Sequence, residues 1–398
     1  MTSEVANAPA ADWFTLADLW EDPYPIFARL REEAPVAWSE GFDRFFVSRY
    51  EDCAFIERND GLFEPDQEPR SKMKRAIGPN MLSKGDPEHA RERGVVNPSL
   101  RPRAVDEQWE PVFRANAERF LAEFERLGPG ADLVEHLAVP YSATNLAAVV
   151  GLPGASVEEV NRWSQAFIAS VGNHALLPEV FERSDRCNEE VDALIDEAVP
   201  YYRRSPDASM LSAMANSELP IELIRTNTKL AISGGVNEPQ HTLVNGVWAL
   251  DRHPEQRDAA IADPELFRAA FDETVRWLSP ITSIGRRARV DTELQGVPIP
   301  EGSYLFALVG SANRDPRQFP DPDVYEIRRP RGAHLAFGAG IHMCAGSWVA
   351  RSAIGAVMWP LLYSRLPGLR PVDPGAARWS GFTFRGIESL PATWGDAA

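Results

Sequence analysis

The chain is poor in cysteine, with only Cys53, Cys187 and Cys344 among 398 residues and no CxxC pair. An odd, sparse set excludes a disulfide framework, and the missing pair argues against a zinc ribbon. No apolar run reaches the length of about 18 residues that a membrane span requires. The opening MTSEVANAPAADWF has no basic segment followed by an apolar one, so it does not read as a signal peptide. These absences predict a cytoplasmic protein that neither enters nor crosses a membrane. Basic excess is missing too: 58 acidic against 41 basic residues give a formal net charge of -17. That excludes general nucleic-acid binding, which needs a basic face, but leaves room for a local basic patch facing an acidic partner. There is no internal repeat and no low-complexity linker beyond the first dozen residues. The expectation is a flexible N-terminus over 1–12 and one large domain over 13–398.

What is present is mainly helical signal on a chain that is 44% hydrophobic. Periodic apolar spacing predicts helices over 105–127, 139–150, 156–171, 179–203, 220–251, 254–261, 264–278 and 345–364. Val36, Trp38 and Phe45–Val47 predict an early hairpin with Gly41 in its turn. Strand-like pieces recur at 286–305, and a strand-rich tail follows the last helix. Residues 60–85, rich in Pro, Gly and charge, read as a loop, and 312–345 as irregular. The predicted class is mainly α with small β-sheets.

The most informative stretch runs from His334 to Gly346, HLAFGAGIHMCAG. It is a loop feeding a helix. Gly338 and Gly340 permit a tight turn and the close approach of a flat ligand. Cys344 falls at the helix entrance, where N–H groups and the helix dipole stabilise a thiolate. Gly346 leaves room beside a large planar group, Phe337 packs on its sulfur side, and His342 can donate to a carboxylate at its edge. A lone cysteine in a glycine-rich turn is usually a small buried hydrophobe. Here Phe, two Gly, His, Cys and Gly stand together in the order FGxGxHxCxG, which closely resembles the haem-binding signature of the cytochrome P450 family.

That resemblance implies the cytochrome P450 fold, haem b (iron protoporphyrin IX) as cofactor and Cys344 as the metal ligand. It extends along most of the chain. Glu273 and Arg276 match the family's ExxR, a structural pair whose i, i+3 spacing puts both charges on one helix face. Asn313 to Pro316 and Phe319 resemble the segment that completes that lock. His89 and Arg93 match HxxxR and suit one haem propionate. Arg286 resembles the arginine that holds the other, with Arg287 as a close competitor. Cys53 and Cys187 have no such context and read as structural.

The oxygen-activating helix departs from the family pattern. Where most members carry an acid–threonine pair that relays protons, this chain has Asn237 and Glu238, then Pro239 and, after Gln240, His241. Pro239 is expected to open or kink the helix, making space beside Gly234 and Gly235. Glu238 and Asn237 are the catalytic candidates, with Glu238 handling protons; a salt-bridged Glu238 with a water relay is the alternative. His241 reads as a packing or hydrogen-bonding residue. The amide–Glu–Pro order and the tail Trp379 to Gly386 resemble bacterial P450s of the guaiacol O-demethylase type. The segment from Pro280 to Arg286 is a residue shorter than in that type.

By resemblance the substrate pocket draws on Gly235, Val236, Val171, Ile281, Ile284 and Phe384, with Phe63, Met81, Leu82, Phe167 and Phe382 as weaker candidates. Arg70, Lys72, Lys74 and Arg75 lie in a loop whose direction the sequence does not give. The implied reaction uses O2 and two electrons to hydroxylate or O-demethylate a small, mostly apolar, aromatic substrate. Hydroxylation of a terpenoid, steroid or secondary metabolite is the alternative, and a haem-thiolate sensor without turnover is the alternative of another class. No flavin or iron–sulfur motif follows the haem segment. Electrons are therefore expected from a separate ferredoxin and ferredoxin reductase, or a flavin iron–sulfur reductase, docking near Arg101, Arg103 and Arg331.

Overall fold

The computed structural model describes residues 8–66, 71–173, 175–330 and 332–395. These pack as two compact units, each assembled from separated stretches of chain. The first takes Met1–Ser71, Glu273–Cys344 and Trp379–Gly386; the second takes Lys72–Asp272, Ala345–Arg378 and Ile387–Ala398.

The first unit is built on a five-stranded sheet. Its strands are β1 (Val36–Ser39), β2 (Arg44–Val47), β3 (Phe63–Pro65), β4 (Ile284–Ala288) and, after the short hairpin β5 (Thr292–Leu294) and β6 (Val297–Ile299), β7 (Tyr304–Ala307), in the spatial order β1-β2-β7-β4-β3. β2 and β7 run parallel; the other pairs are antiparallel. Both faces of the sheet are covered, and alternate side chains separate two apolar layers. Val36, Phe45, Val47, Phe63, Leu305 and Ala307 enter one, with Cys53 and Ala339. Ala37, Phe46, Phe306 and Leu308 enter the other, with Phe27 and Phe382.

The sequence reading places a loop across 60–85, but Phe63 pairs with Ala288 and is 1% exposed, so its burial recruits 63–65 as an edge strand. A helix, Lys72–Ile77, and a short turn, Met81–Ser83, occupy the rest of that stretch. Residues 8–12 are likewise not a loose end. Ala11 is fully buried, its amide donates to the Trp38 carbonyl at 2.8 Å, and Asp12 accepts from the Glu40 amide at 2.9 Å. Residues 1–7, Arg70 and Arg331 lie outside the described residues.

The second unit is helical. The 32-residue helix Ile221–Arg252 packs against Val139–Val150 and Val157–Val171. The Val157–Val171 helix starts on a reciprocal capping box, in which the Glu159 carboxylate accepts from the Ser156 amide at 2.8 Å and the Ser156 hydroxyl accepts from the Glu159 amide at 3.2 Å. Small residues set the helix spacing. A Cβ on Gly246 would lie 2.0 Å from the Trp359 ring, whose Nε1 donates to the Leu243 carbonyl. Trp359 belongs to the last helical run, Ser347–Ala350, Arg351–Met358 and Trp359–Arg365, whose middle piece is wound as a π-helix. Among the described residues no helix is long and apolar enough to cross a membrane.

Candidate active site

Each sequence-predicted site residue falls within one of the two units. The first holds the cysteine loop, Arg286, the Glu273–Arg276 pair and Ile281, Ile284 and Phe384. The second holds His89, Arg93, Gly346, Val171 and the Gly235–Glu238 stretch.

Cys344 is exposed, carries no disulfide, and sits three residues before the first helical residue, Ser347. Its amide donates to the Phe337 carbonyl at 2.8 Å, closing the loop on itself. Gly338 and Gly340 take φ of 69° and 67°, the left-handed region that glycine adopts without strain. They permit the close approach of a neighbouring helix. A Cβ on Gly340 would meet the Glu57 carbonyl oxygen at 2.3 Å, and one on Gly338 would meet Glu57 Oε2 at 3.0 Å. Glu57, on the helix Tyr50–Arg58, accepts from the Ala339 amide at 2.6 Å through Oε2. Sequence reasoning missed Glu57, because a carboxylate near a helix end carries no motif. The other two cysteines are buried: Cys53 donates to the Val47 carbonyl, and Cys187 lies 3.7 Å from Arg162 Nη1.

Strand β4 separates the competing arginines. Arg286 shares the face of Ala288, is 5% exposed, and donates through Nη1 to the Gly285 carbonyl at 2.9 Å. Among the described residues no carboxylate lies within ion-pair distance of it. Arg287 points the other way and pairs with Glu64 at 2.8 Å. On the helix Glu88–Leu100, His89 is buried with Nδ1 3.2 Å from Asp86, and Arg93 donates to Asn97 at 2.8 Å.

Beneath the loop lies a polar lock. Arg276 donates to both Glu273 oxygens at 2.7 Å and to the carbonyls of Asn313, Pro322 and Val324. Asn313 Oδ1 accepts from the Leu335 amide at 2.7 Å, tying the lock to the start of the cysteine segment. The Arg276 guanidinium stands 5.4 Å from the centre of the Phe319 ring.

The helix Ile221–Arg252 continues unbroken through Pro239, so the expected opening does not interrupt it. Proline removes one backbone donor, but packing on both sides holds the helical path. Gly235 is not free to line a pocket, since a Cβ there would come within 2.2 Å of Leu146 Cδ1; it is a contact between helices. Gly234 instead faces the Glu238 carboxyl, at 3.6 Å from the place of its missing Cβ. Glu238 Oε2 is buried and without a hydrogen-bond partner, and desolvation pushes this carboxyl up to about 8. Asn237 Nδ2, Gln240 Oε1 and His241 Nδ1 are also buried and unpartnered, and desolvation pushes His241 down to about 4. At neutral pH this stretch therefore holds a protonated acid and a neutral imidazole.

Ile281 and Phe384 form an isolated bridge, and Thr282 and Thr383 continue it through a backbone bond of 2.9 Å. Ile281 and Ile284 are only partly buried against their core layer, whereas Phe63 and Phe382 are absorbed into core. Phe167 and Val236 are fully buried, Met81 is 6% exposed, and Val171 keeps partial exposure. Of the basic side chains in the 72–75 stretch, Arg75 pairs with Asp185 at 2.6 Å. Arg101 and Arg103 are exposed, and Arg103 pairs with Glu107.

The loop thus carries an accessible cysteine on a glycine-braced turn, tied from below to a buried ion pair. A family model described as cytochrome P450 matches residues 244–364. Cytochrome P450 monooxygenase PikC of Streptomyces venezuelae is 30% identical, across 98% of this chain and 95% of its own. Nocardicin C N-oxygenase of Nocardia uniformis subsp. tsuyamanensis is 31% identical, across 94% of this chain and 96% of its own. Among solved structures, P450BioI in complex with an acyl carrier protein ligated to hexadec-9Z-enoic acid matches with a TM-score of 0.88 at 26% identity, covering 96% of this chain and 100% of that one. The chain belongs to the cytochrome P450 family: it is a haem-thiolate monooxygenase whose cofactor is haem.

The residues present fit that cofactor. Cys344, the one exposed thiol of the three cysteines, suits an axial thiolate, and the buried Arg286 guanidinium, with no carboxylate at ion-pair distance among the described residues, suits a propionate.

Proposed function

We propose that the chain hydroxylates or O-demethylates a small, mostly apolar aromatic substrate, with Cys344 as axial ligand and Glu238, seconded by Asn237, managing protons. The observation that carries the proton role is the buried Glu238 carboxyl facing Gly234, whose Oε2 has no hydrogen-bond partner and which burial holds toward its protonated form. Residues 13–398 act in this reading as one haem-binding domain. His89, Arg93, Arg286 and His342 hold the propionate edges, and Phe337, Gly338 and Gly346 flank the ring. The haem, once bound, supplies oxygen activation with electron density pushed from the thiolate. The chain's own share is positioning and proton delivery. Glu238 holds its proton at neutral pH because burial disfavours the carboxylate, and Asn237 offers an uncharged donor beside it.

Val236, Val171, Ile281, Ile284 and Phe384 are the proposed substrate contacts, an apolar set that suits a small uncharged arene. Hydroxylation at a methoxy carbon gives a hemiacetal that collapses to a phenol and formaldehyde. Electrons come from a separate ferredoxin with its reductase or from a flavin iron–sulfur reductase, docked in this reading beside Arg101 and Arg103. A second reading, oxidation of a secondary metabolite, is favoured by the relatives' names, which include a nocardicin C N-oxygenase and the mycinamicin IV hydroxylase/epoxidase of Micromonospora griseorubida.

The two readings separate in one assay. With a ferredoxin and reductase supplied, a panel of methoxyarenes is expected to yield formaldehyde with NAD(P)H consumption coupled to it. No formaldehyde from any member, together with a substrate-induced spin shift only for larger metabolites, would transfer the assignment to the second reading.

A further inference from the structure

Glu57 belongs to no motif and to none of the roles above, yet it is the residue on which the cysteine loop rests. It is 3% exposed, within the apolar layer that contains Cys53 and Ala339. Its Oε2 takes the Ala339 amide at 2.6 Å, and its backbone carbonyl is the surface against which Gly340 is pressed. Its Oε1 is buried with no hydrogen-bond partner, an arrangement that a structural core position avoids. Leu or Gln would fill the same space without leaving a carboxylate oxygen unmatched. The charge of Arg286 on β4, a buried guanidinium with no carboxylate within ion-pair distance among the described residues, acts on Glu57.

We propose that Glu57 is a positioning residue that couples the cysteine loop to the propionate-binding arginine. One carboxylate oxygen fixes the loop amide three residues before His342. The charge of the same group competes with a haem propionate for Arg286. The state of Glu57 thereby sets how firmly Arg286 grips the haem edge and how readily the bound haem accepts an electron. This rests on the assignment of Cys344 and Arg286 made above.

The groups around Glu57 are few. Arg286 faces it from β4 with Asp66 acting on that arginine, and the loop contributes the Ala339 amide; on its own helix stand Arg58, Cys53 and Tyr50. Burial pushes the Glu57 carboxyl up to about 6, with Arg286 pulling the other way. The group is therefore mostly neutral below about pH 6 and mostly ionised above it. A negative charge near the haem opposes the incoming electron, so reduction is accompanied by proton uptake at Glu57 across this range.

The test uses the haem-loaded protein, titrated with dithionite in the presence of redox mediators from about pH 5 to about pH 7.5, a window chosen to bracket the Glu57 ionisation. The wild-type midpoint potential is expected to fall as pH rises. Glu57→Gln keeps an oxygen for the Ala339 amide but carries no charge, so it is expected to give a higher, flatter profile while retaining the thiolate spectrum of the carbon monoxide complex. Glu57→Leu removes both functions and is expected to lose part of the thiolate band and to release haem faster to apomyoglobin. A Glu57→Gln profile that superposes on wild type overturns the proposal even if Glu57→Leu fails to fold. Arg286→Ala in the same haem-release assay separates the layers. If it releases haem at the wild-type rate, the Arg286 assignment fails and the proposal with it. If it releases haem faster while Glu57→Gln is indistinguishable from wild type, only the role of Glu57 fails.

Discussion

Replacing Arg276 by alanine is expected to leave little or no folded, haem-loaded protein. The side chain is 2% exposed and satisfies five acceptors at once: two Glu273 oxygens and the carbonyls of Asn313, Pro322 and Val324. Removing it leaves a buried carboxylate with Arg329 Nε at 3.3 Å and the Glu326 amide at 2.8 Å as its remaining donors. Breaking one half of a buried ion pair costs roughly 3–5 kcal/mol, before the three stranded carbonyls are considered. That approaches the whole stability of many domains, about 5–15 kcal/mol. Arg276→Lys keeps the charge but cannot reproduce the planar fork, so it is expected to fall between the two. Thermal unfolding and haem content of purified protein read the effect. An Arg276→Ala protein that melts within a few degrees of wild type and carries full haem would show that the lock is not what holds the cysteine segment.

Replacing Glu238 by glutamine is expected to lower coupled product formation by about 100-fold, the lower end of what a positioned acid contributes. The amide is nearly isosteric, so the helix and its contact with Leu146 persist, and the change removes the proton and little else. Consumption of NAD(P)H is expected to continue, with the electrons recovered as hydrogen peroxide. The pH dependence carries a sign. Burial raises the Glu238 carboxyl to about 8, so the proton-bearing form predominates below that pH and is lost above it. Wild-type coupled turnover should therefore fall as pH rises through about 8, while the residual turnover of Glu238→Gln should not follow that curve. Unchanged, fully coupled turnover in the variant would remove Glu238 from the mechanism and leave the proton route to ordered water.

Much of the fold is legible in the sequence because helix periodicity is a local signal. The helices expected at 139–150, 156–171, 179–203 and 220–251 differ from the observed ones by at most one residue at each end. The fold class and the family are equally legible, since the cysteine signature and ExxR are short patterns with fixed spacing. What was not legible depends on long-range partners. β3 exists because Phe63 finds Ala288 more than 200 residues away, and its Pro, Gly and charge-rich surroundings hide that pairing. Gly235 reads as open space from its position beside Pro239, but Leu146 fills it. The tight turn at Gly338 and Gly340 is legible, but the neighbour packed against it is not: Glu57 stands more than 280 residues earlier in the chain. Two adjacent identical residues give no local signal that separates Arg286 from Arg287; the pleat of β4 turns them to opposite faces, and only Arg287 meets a carboxylate among the described residues.

The central claim is that Cys344 presents a thiolate to the haem iron, and the ferrous carbon monoxide complex tests it most directly. Reduced with dithionite under carbon monoxide, the folded protein should show the strongly red-shifted Soret band of a thiolate-ligated haem, and Cys344→Ser should lose it while keeping its helical circular dichroism. A Soret band at the ordinary haem position in correctly folded wild-type protein, or a red-shifted band that survives in Cys344→Ser, would contradict the account.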